Sequence, residues 1–351
     1  MNSFFFNNLL LLEMGSTRPS DGIGVFKPLY WLFGVCMDLL MEMFDNRYFV
    51  AIIIITIITR LLLLPLNVKQ QKSLAKTTGL QPKIQKIQKK YPDPRDRQKL
   101  NEEMQELYSR EGHNPMQMGC GPMLFQMIFL MGIIGIVYYP ISYVIMWRVG
   151  IFNNSFIENN DAIFKVVSEF LGTDKIANYQ LKILENIGNP DFVNTLQTSF
   201  PDIFTNEMCT KLQTYSEGML LFGLDFTAIP HWKTETGSFN TLVIIPLLCL
   251  ATSLASTVIS TLIQKKNNPA ASQQMGQMTI MMLMMPFFSF YIAFQVPAAV
   301  GFYWIVSNVV AILQQLYMAK IHPPKKVQAH LMVENTIERR SREENIKKIN
   351  N

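Results

Sequence analysis

Long apolar runs alternate with charged stretches along this chain, and the runs have the length of helices. Tyr48 to Leu66, YFVAIIIITIITRLLLLPL, is long enough to cross a bilayer, which takes about 20 apolar residues. The pattern predicts a second span over Pro122–Trp147, a third over Leu242–Ile263, a fourth over Met278–Phe294 and a fifth over Val296–Met318. The last two meet at Gln295-Val296-Pro297 and form a tight hairpin. Residues 24–45 are also apolar, but Lys27, Asp38 and Glu42 interrupt them, and Tyr30 and Trp31 suit an interface. They read as an amphipathic helix lying on the membrane, with a crossing helix as the alternative. Residues 1–14 are too short to span and lack a basic lead and a small-residue cleavage site, so they read as an interfacial or loosely ordered start.

Two polar regions carry their own helical pattern. Leu80, Ile84 and Ile87 share one face of a helix, YPDPRD (Tyr91–Asp96) turns the chain, and Leu100, Met104, Leu107 and Tyr108 line a second helix. This is an antiparallel hairpin, basic on its first arm. HNPMQMGCGP (His113–Pro122) then breaks the helix before the chain re-enters the membrane. Between the second and third spans, soluble-type sequence predicts several short helices, among them Ala162–Leu171 and Ile176–Ile187.

Composition agrees with a membrane protein: of 351 residues, 49% are hydrophobic and only 16% charged. The placement of charge then sets the orientation. Lys69 to Lys99 holds eight lysines and two arginines against Asp93 and Asp96, and the tail from Lys320 holds eight basic residues against four Glu. Basic residues stay inside, so the N-terminus is outside and the tail inside. The expected organisation is an extracytoplasmic segment 1–47, a first transmembrane helix 48–67, a cytoplasmic helical hairpin 68–121, a second transmembrane helix 122–147, an extracytoplasmic insertion 148–240, three further transmembrane helices over 241–318 and a basic cytoplasmic tail 319–351. The fold class is all-α and polytopic, with five transmembrane helices. Cys36, Cys120, Cys209 and Cys249 show no metal spacing, and a Cys36–Cys209 bridge is a minor alternative. The scattered histidines give a metal site no support, and no cofactor is expected.

Arg60 is the residue that composition does not explain. An arginine at mid-membrane costs about 2.5–3.5 kcal/mol on insertion scales. It stands six residues before Leu66, about 9 Å along a helix, so snorkelling to the headgroups is one reading. Thr56 and Asn67 share its face at i−4 and i+7, and such a polar stripe in a span faces protein or a wet cavity.

Leu80 to Met127, LQPKIQKIQKKYPDPRDRQKLNEEMQELYSREGHNPMQMGCGPMLFQM, resembles the YidC family of membrane protein insertases, relatives of the Oxa-type insertases. The spacing of QP, KKY, LY, NP and GC-P before a span bearing Gln126 carries the resemblance. Thr59–Ser73 resembles the family's first span, with its arginine and following PL, and Pro297–Asn308, PAAVGFYWIVSN, resembles its last. The match covers about 48–147 and 240–318. Residues 151–239 exceed the short linker expected there. Ser256 stands ten residues after Pro246, where many relatives carry a glutamine. Neither a large outer domain before the first span nor a lipid-modified cysteine near the N-terminus is expected from this reading.

The resemblance implies a non-enzymatic insertase of the bacterial cytoplasmic membrane, which moves hydrophobic segments into the bilayer through a polar groove in the inner leaflet. Arg60, Thr56, Gln126, Ser256, Tyr303, Trp304 and Asn308 are the expected groove residues, Arg60 foremost; Gln126 and Asn308 are equally able to tie helices together, and Trp304 to pack. Met281, Met282, Met284 and Met285 suit a surface that accepts many partners, or lipid-facing filler. The implied partners are nascent membrane proteins and lipid, with the ribosome, the signal recognition pathway and the Sec translocon as further ones for the basic hairpin and tail; DNA is not expected. Two other classes stand against this reading: a small-solute channel or transporter, for which the chain shows no inverted repeat, and a membrane receptor using the outer insertion.

Overall fold

The computed structural model describes residues 24–69, 83–110 except 85, 120–147, 155–232 except 174, 175 and 177, 237, 240–267, 276–321 and the tail positions 333, 336, 337 and 340. The fold is built from helices: α1 (Lys27–Met43), α2 (Tyr48–Leu62), α3 (Arg97–Arg110), α4 (Cys120–Tyr138), α5 (Ser155–Glu158), α6 (Asn160–Leu171), α7 (Tyr179–Asn186), α8 (Pro190–Ser199), α9 (Asn206–Gly218), α10 (Ile244–Asn267), α11 (Gly276–Ala293) and α12 (Ala298–Ile321). Between α9 and α10 the chain makes a two-stranded antiparallel hairpin, β1 (Leu220–Leu221) with β2 (Leu224–Asp225), pairing Leu220 with Asp225 and Leu221 with Leu224. The insertion is therefore not purely helical. Strands of two residues carry too little period-2 pattern to be seen in sequence.

Two apolar stretches among the described residues are long enough to cross a membrane, Thr241–Ile263 and Ala298–Ile321; Tyr48–Leu62, Ile128–Tyr138 and Met284–Ala293 are shorter apolar helices. Only 28% and 33% of the two longer stretches is buried within the protein. So much exposed apolar helix calls for an apolar phase outside it.

The chain divides into two compact units. The first holds residues 1–59, 127–253 and 286–308, and the large hydrophobic core lies here. Its first contributor is α1, which Pro28 helps to start and which ends where Asp45 and Asn46 adopt left-handed φ of 52° and 57°. Tyr30, Phe33, Gly34, Met37 and Met41 recur on one buried face, while Leu32, Leu39 and Met43 stay exposed on another. One apolar stripe of α1 is exposed, and the opposite face packs on protein. Gly34 is required there: a Cβ would stand 1.9 Å from the Tyr143 carbonyl oxygen. At Gly135 a Cβ would meet the Tyr30 ring at 2.1 Å.

That packing explains a departure from the second span as read over 122–147. The α-helix stops at Tyr138; Pro140 lacks an N–H and its ring disrupts the ladder, and a π-helical turn follows over Ile141–Ile145. Every residue from Met131 to Ile145 is buried within the protein, so this end of the run lies in protein and not in lipid.

The insertion folds onto the same core. Asn189 caps α8 by accepting from Asp191 N–H, and Thr205 caps α9 by accepting from Met208 N–H. Gly172, at φ 65°, closes α6 in the left-handed conformation that glycine adopts without strain. Phe156, Ile163, Tyr179, Leu184, Phe192 and Leu212 are buried by the amphipathic faces of α5 to α9. Cys36 and Cys209 are free thiols, so the alternative bridge does not form.

The second unit holds residues 60–126, 254–285 and 309–351. Its defined feature is the charged hairpin. Asp93 accepts from Arg95 N–H at 2.9 Å and starts the 3₁₀ turn Pro94–Asp96 that leads into α3. Leu80 and the Tyr108 side chain, expected on the apolar faces, lie outside the described residues, whereas Ile84 is buried and Ile87, Leu100, Met104 and Leu107 are half-buried.

Candidate functional site

The isoleucine-rich helix α2 carries Thr56 and Arg60 one turn apart. Thr56 is 1% exposed, and its hydroxyl donates to the Ile52 carbonyl at 2.7 Å. Such back-bonding satisfies a hydroxyl in an apolar helix without an outside partner. Thr59 does the same towards Thr56 O at 2.9 Å. Arg60 is half-buried and is the first residue of the second unit; α2 runs on to Leu62, and a turn at Leu63 follows. Its positive charge sits in the last turn, where it complements the partial negative charge of the helix C-terminus.

On α12, Tyr303 is buried in the core and Trp304 packs against that core half-exposed. Asn308 has a definite partner: its side-chain N–H donates to Thr252 Oγ1 on α10 at 3.3 Å. The Thr252 hydroxyl in turn donates to the Leu248 carbonyl at 2.8 Å. Asn308 thus ties α12 to α10. Thr252 lies within the third apolar run, where nothing local marks it as the partner of Asn308. Ser256 is half-buried on α10 in the second unit; Gln126 lies on α4, its side chain outside the described residues. Met284 and Met285 are exposed, at 63% and 51%, while the Met281 and Met282 side chains lie outside the described residues.

The hairpin motif has a structural explanation that its sequence did not reveal. Lys90 forms an ion pair with Glu103 on the opposite arm, and Tyr91 Oη donates to the same carboxylate at 2.8 Å. The KKY motif is therefore a clip onto α3. Hydrogen bonds from Lys90 and Tyr91 hold the Glu103 carboxyl below its ordinary range, and the Glu103 hydrogen bond lifts Lys90 above its own.

Two further polar clusters were missed because their members are far apart in sequence. Gln180 of α7, 1% exposed, accepts from Ile141 N–H at 3.1 Å and Ser142 N–H at 3.2 Å, and donates to Ser142 Oγ at 2.8 Å. It satisfies the backbone donors that the Pro140 break releases. Asp38 of α1, 5% exposed, accepts from the Trp147 indole at 2.6 Å and faces Lys211 of α9 at 3.3 Å. Nearby, burial first, then Tyr48 and Asp38, push the Tyr215 hydroxyl well above its ordinary range.

Among the described residues no group of His, Cys, Asp and Glu is placed to hold a metal ion. What the arrangement offers is apolar helices, a half-buried cation in one of them, a clipped charged hairpin and a folded insertion. These features define a helical membrane protein. The family described as 60Kd inner membrane protein matches residues 39–326, and the chain belongs to it. A protein named membrane protein insertase YidC from Oceanobacillus iheyensis is 29% identical over 315 residues, 88% of this chain and 89% of that protein. One of the same name from Treponema denticola is 24% identical over 319 residues, 91% of this chain and 41% of that protein. Membrane protein insertase YidC 2 of Listeria innocua is 43% identical over 121 residues, 33% of this chain and 40% of that protein. The chain thus matches only about two fifths of the length of the Treponema and Listeria relatives. The family description and these bacterial relatives place the chain in a bacterial membrane.

Proposed function

We propose that the protein is a membrane protein insertase, without bond-making chemistry, that moves hydrophobic segments of nascent proteins from the cytoplasm into the bilayer and helps them fold. The observation that carries this reading is the family match from 39 to 326, which includes the Arg60 helix, the clipped hairpin and the last span. A nascent span with a polar outer tail has to bring that tail through hydrocarbon, where each unpaired polar group costs several kcal/mol. A polar groove in the inner leaflet shortens the dry path. Arg60 supplies a positive charge that attracts acidic tails, more strongly in reduced dielectric than in water. Thr56, Gln126, Ser256, Tyr303, Trp304 and Asn308 are the proposed further groove residues, by the resemblance. Five transmembrane helices, with the N-terminus out and the tail in, complete the proposal. The basic hairpin and tail are the proposed contacts for the ribosome, the signal recognition pathway and the Sec translocon.

Complementation tests it. In cells depleted of their own insertase, wild type, Arg60→Ala and Arg60→Lys are expressed and insertion of a short client with an acidic outer tail is followed. Rescue by wild type and Lys but not by Ala supports a groove charge. Equal rescue by Ala removes Arg60 from the mechanism and leaves the exit path to lipid to carry insertion. Failure of wild type overturns the insertase reading for that client.

A further inference from the structure

The hairpin joining α9 to α10 has a tip that no contact among the described residues explains. Its two turn residues, Phe222 and Gly223, have φ of 52° and 77°, the sign pattern of a type I′ turn. Asn or Asp suits the first of these positions; a bulky residue there is a strained conformational outlier. The Phe222 side chain recovers nothing by packing, since it is 95% exposed. Leu220 on the preceding strand is exposed as well, at 52%.

The base of the hairpin is fixed at the ends of membrane helices within the same unit. The first free N–H groups of α12, on Ala298 and Ala299, donate to the carbonyls of Ala228 at 2.9 Å and Phe226 at 3.1 Å. Phe226 packs edge-on to Phe302 of α12, with ring centroids 5.3 Å apart. Trp232, itself 55% exposed, stacks on Phe294 just past α11, at 5.0 Å. On the other side of the base, a Cβ on Gly218 would come within 2.0 Å of the Asn46 carbonyl oxygen, two residues before α2 begins. From Phe226 to Phe222 is four residues, at most about 14 Å of extended strand. The headgroup layer that flanks the hydrocarbon is itself about 5–7 Å deep on each side.

We propose that Phe222, with Leu220 and Trp232, docks the insertion on the lipid interface of the leaflet where α12 begins. The occupant is the bilayer because the base is tied to the span ends and the tip is apolar and uncharged. Aromatic side chains favour this layer, with the ring among acyl carbons. Burial of the ring offsets the strain of the turn. The inference rests on Ala298–Ile321 crossing the membrane.

The test uses the full chain in liposomes, with Phe222→Trp and, as a marker of the span, Leu313→Trp, a position on α12 that is 62% exposed. The fluorescence each variant adds to wild type is read with acyl-brominated lipid and with aqueous iodide. The expected result is that both added signals are quenched by brominated lipid and that the one at 222 is shielded from iodide. Quenching at 313 with iodide access and no bromolipid quenching at 222 overturns the docking and leaves the span intact. Loss of bromolipid quenching at 313 overturns the span reading and the docking together.

Discussion

Trp147 donates a 2.6 Å hydrogen bond from its indole to Asp38, a carboxylate only 5% exposed and 109 positions earlier in the chain. The contact joins the N-terminal helix to the end of the second apolar run, and Lys211 brings the insertion to the same carboxylate at 3.3 Å. The charges that made residues 24–45 read as an interfacial helix are in part an anchor to protein.

Asp38→Ala is expected to destabilise the protein by about 2–4 kcal/mol, since it leaves the Trp147 N–H without its acceptor and removes the lysine's partner. The Lys211 side chain is 37% exposed, so its direct coupling to Asp38 is expected at only about 1 kcal/mol or less in a double-mutant cycle with Lys211→Met. Denaturation in detergent micelles measures both.

Gln180→Ala strands the Ile141 and Ser142 amides in a buried site. The expected cost is about 2–4 kcal/mol for two unsatisfied donors. Gln213→Ala, at an exposed position of α9, is the control, with a change within about 0.5 kcal/mol. Equal effects of the two would remove the role assigned to Gln180.

The hairpin clip has a pH window with a definite sign. The Glu103 carboxyl is depressed in the folded state, so its contribution is present above the ordinary glutamate value of about 4.3 and is lost as pH falls through the lower folded value. Lys90 is raised, so its contribution is present below about 10.4 and is lost as pH rises through the higher folded value. Hydrogen exchange of the α3 amides in the full chain, corrected for the intrinsic rate, is expected to show maximal protection between these limits. Glu103→Gln is expected to flatten the acidic limb.

Asn308→Ala and Thr252→Val are each expected to cost about 0.6–1.7 kcal/mol, the scale of a hydrogen bond between membrane helices. Because they break the same bond, their effects on stability should not add. If insertion activity falls with Asn308→Ala and not with Thr252→Val, Asn308 acts on clients as well as on α10.

The hairpin and its turn, the 3.6-residue periods of the insertion helices, the apolar runs and the placement of basic clusters were legible along the chain, because each is a local signal. So was the family, whose motifs are short strings around Tyr91, Asn114 and Trp304. What the partners of those strings would be was not legible. Gln180 sits 39 positions from the amide it caps, Asn308 sits 56 from Thr252, and Tyr91 reaches across its own turn to Glu103. The sequence reads as one span over 122–147, and only the packed insertion decides that the residues after Pro140 are buried in protein and which side chain satisfies their amides. Sequence period fixes which face of a helix is apolar; it does not say whether protein or lipid covers that face. In α1 the structure buries some of the apolar positions and leaves others exposed, with Gly34 allowing backbone contact on one side and Leu32 and Leu39 left outside on the other. That division depends on close packing between distant segments, and so it belongs to the tertiary structure alone.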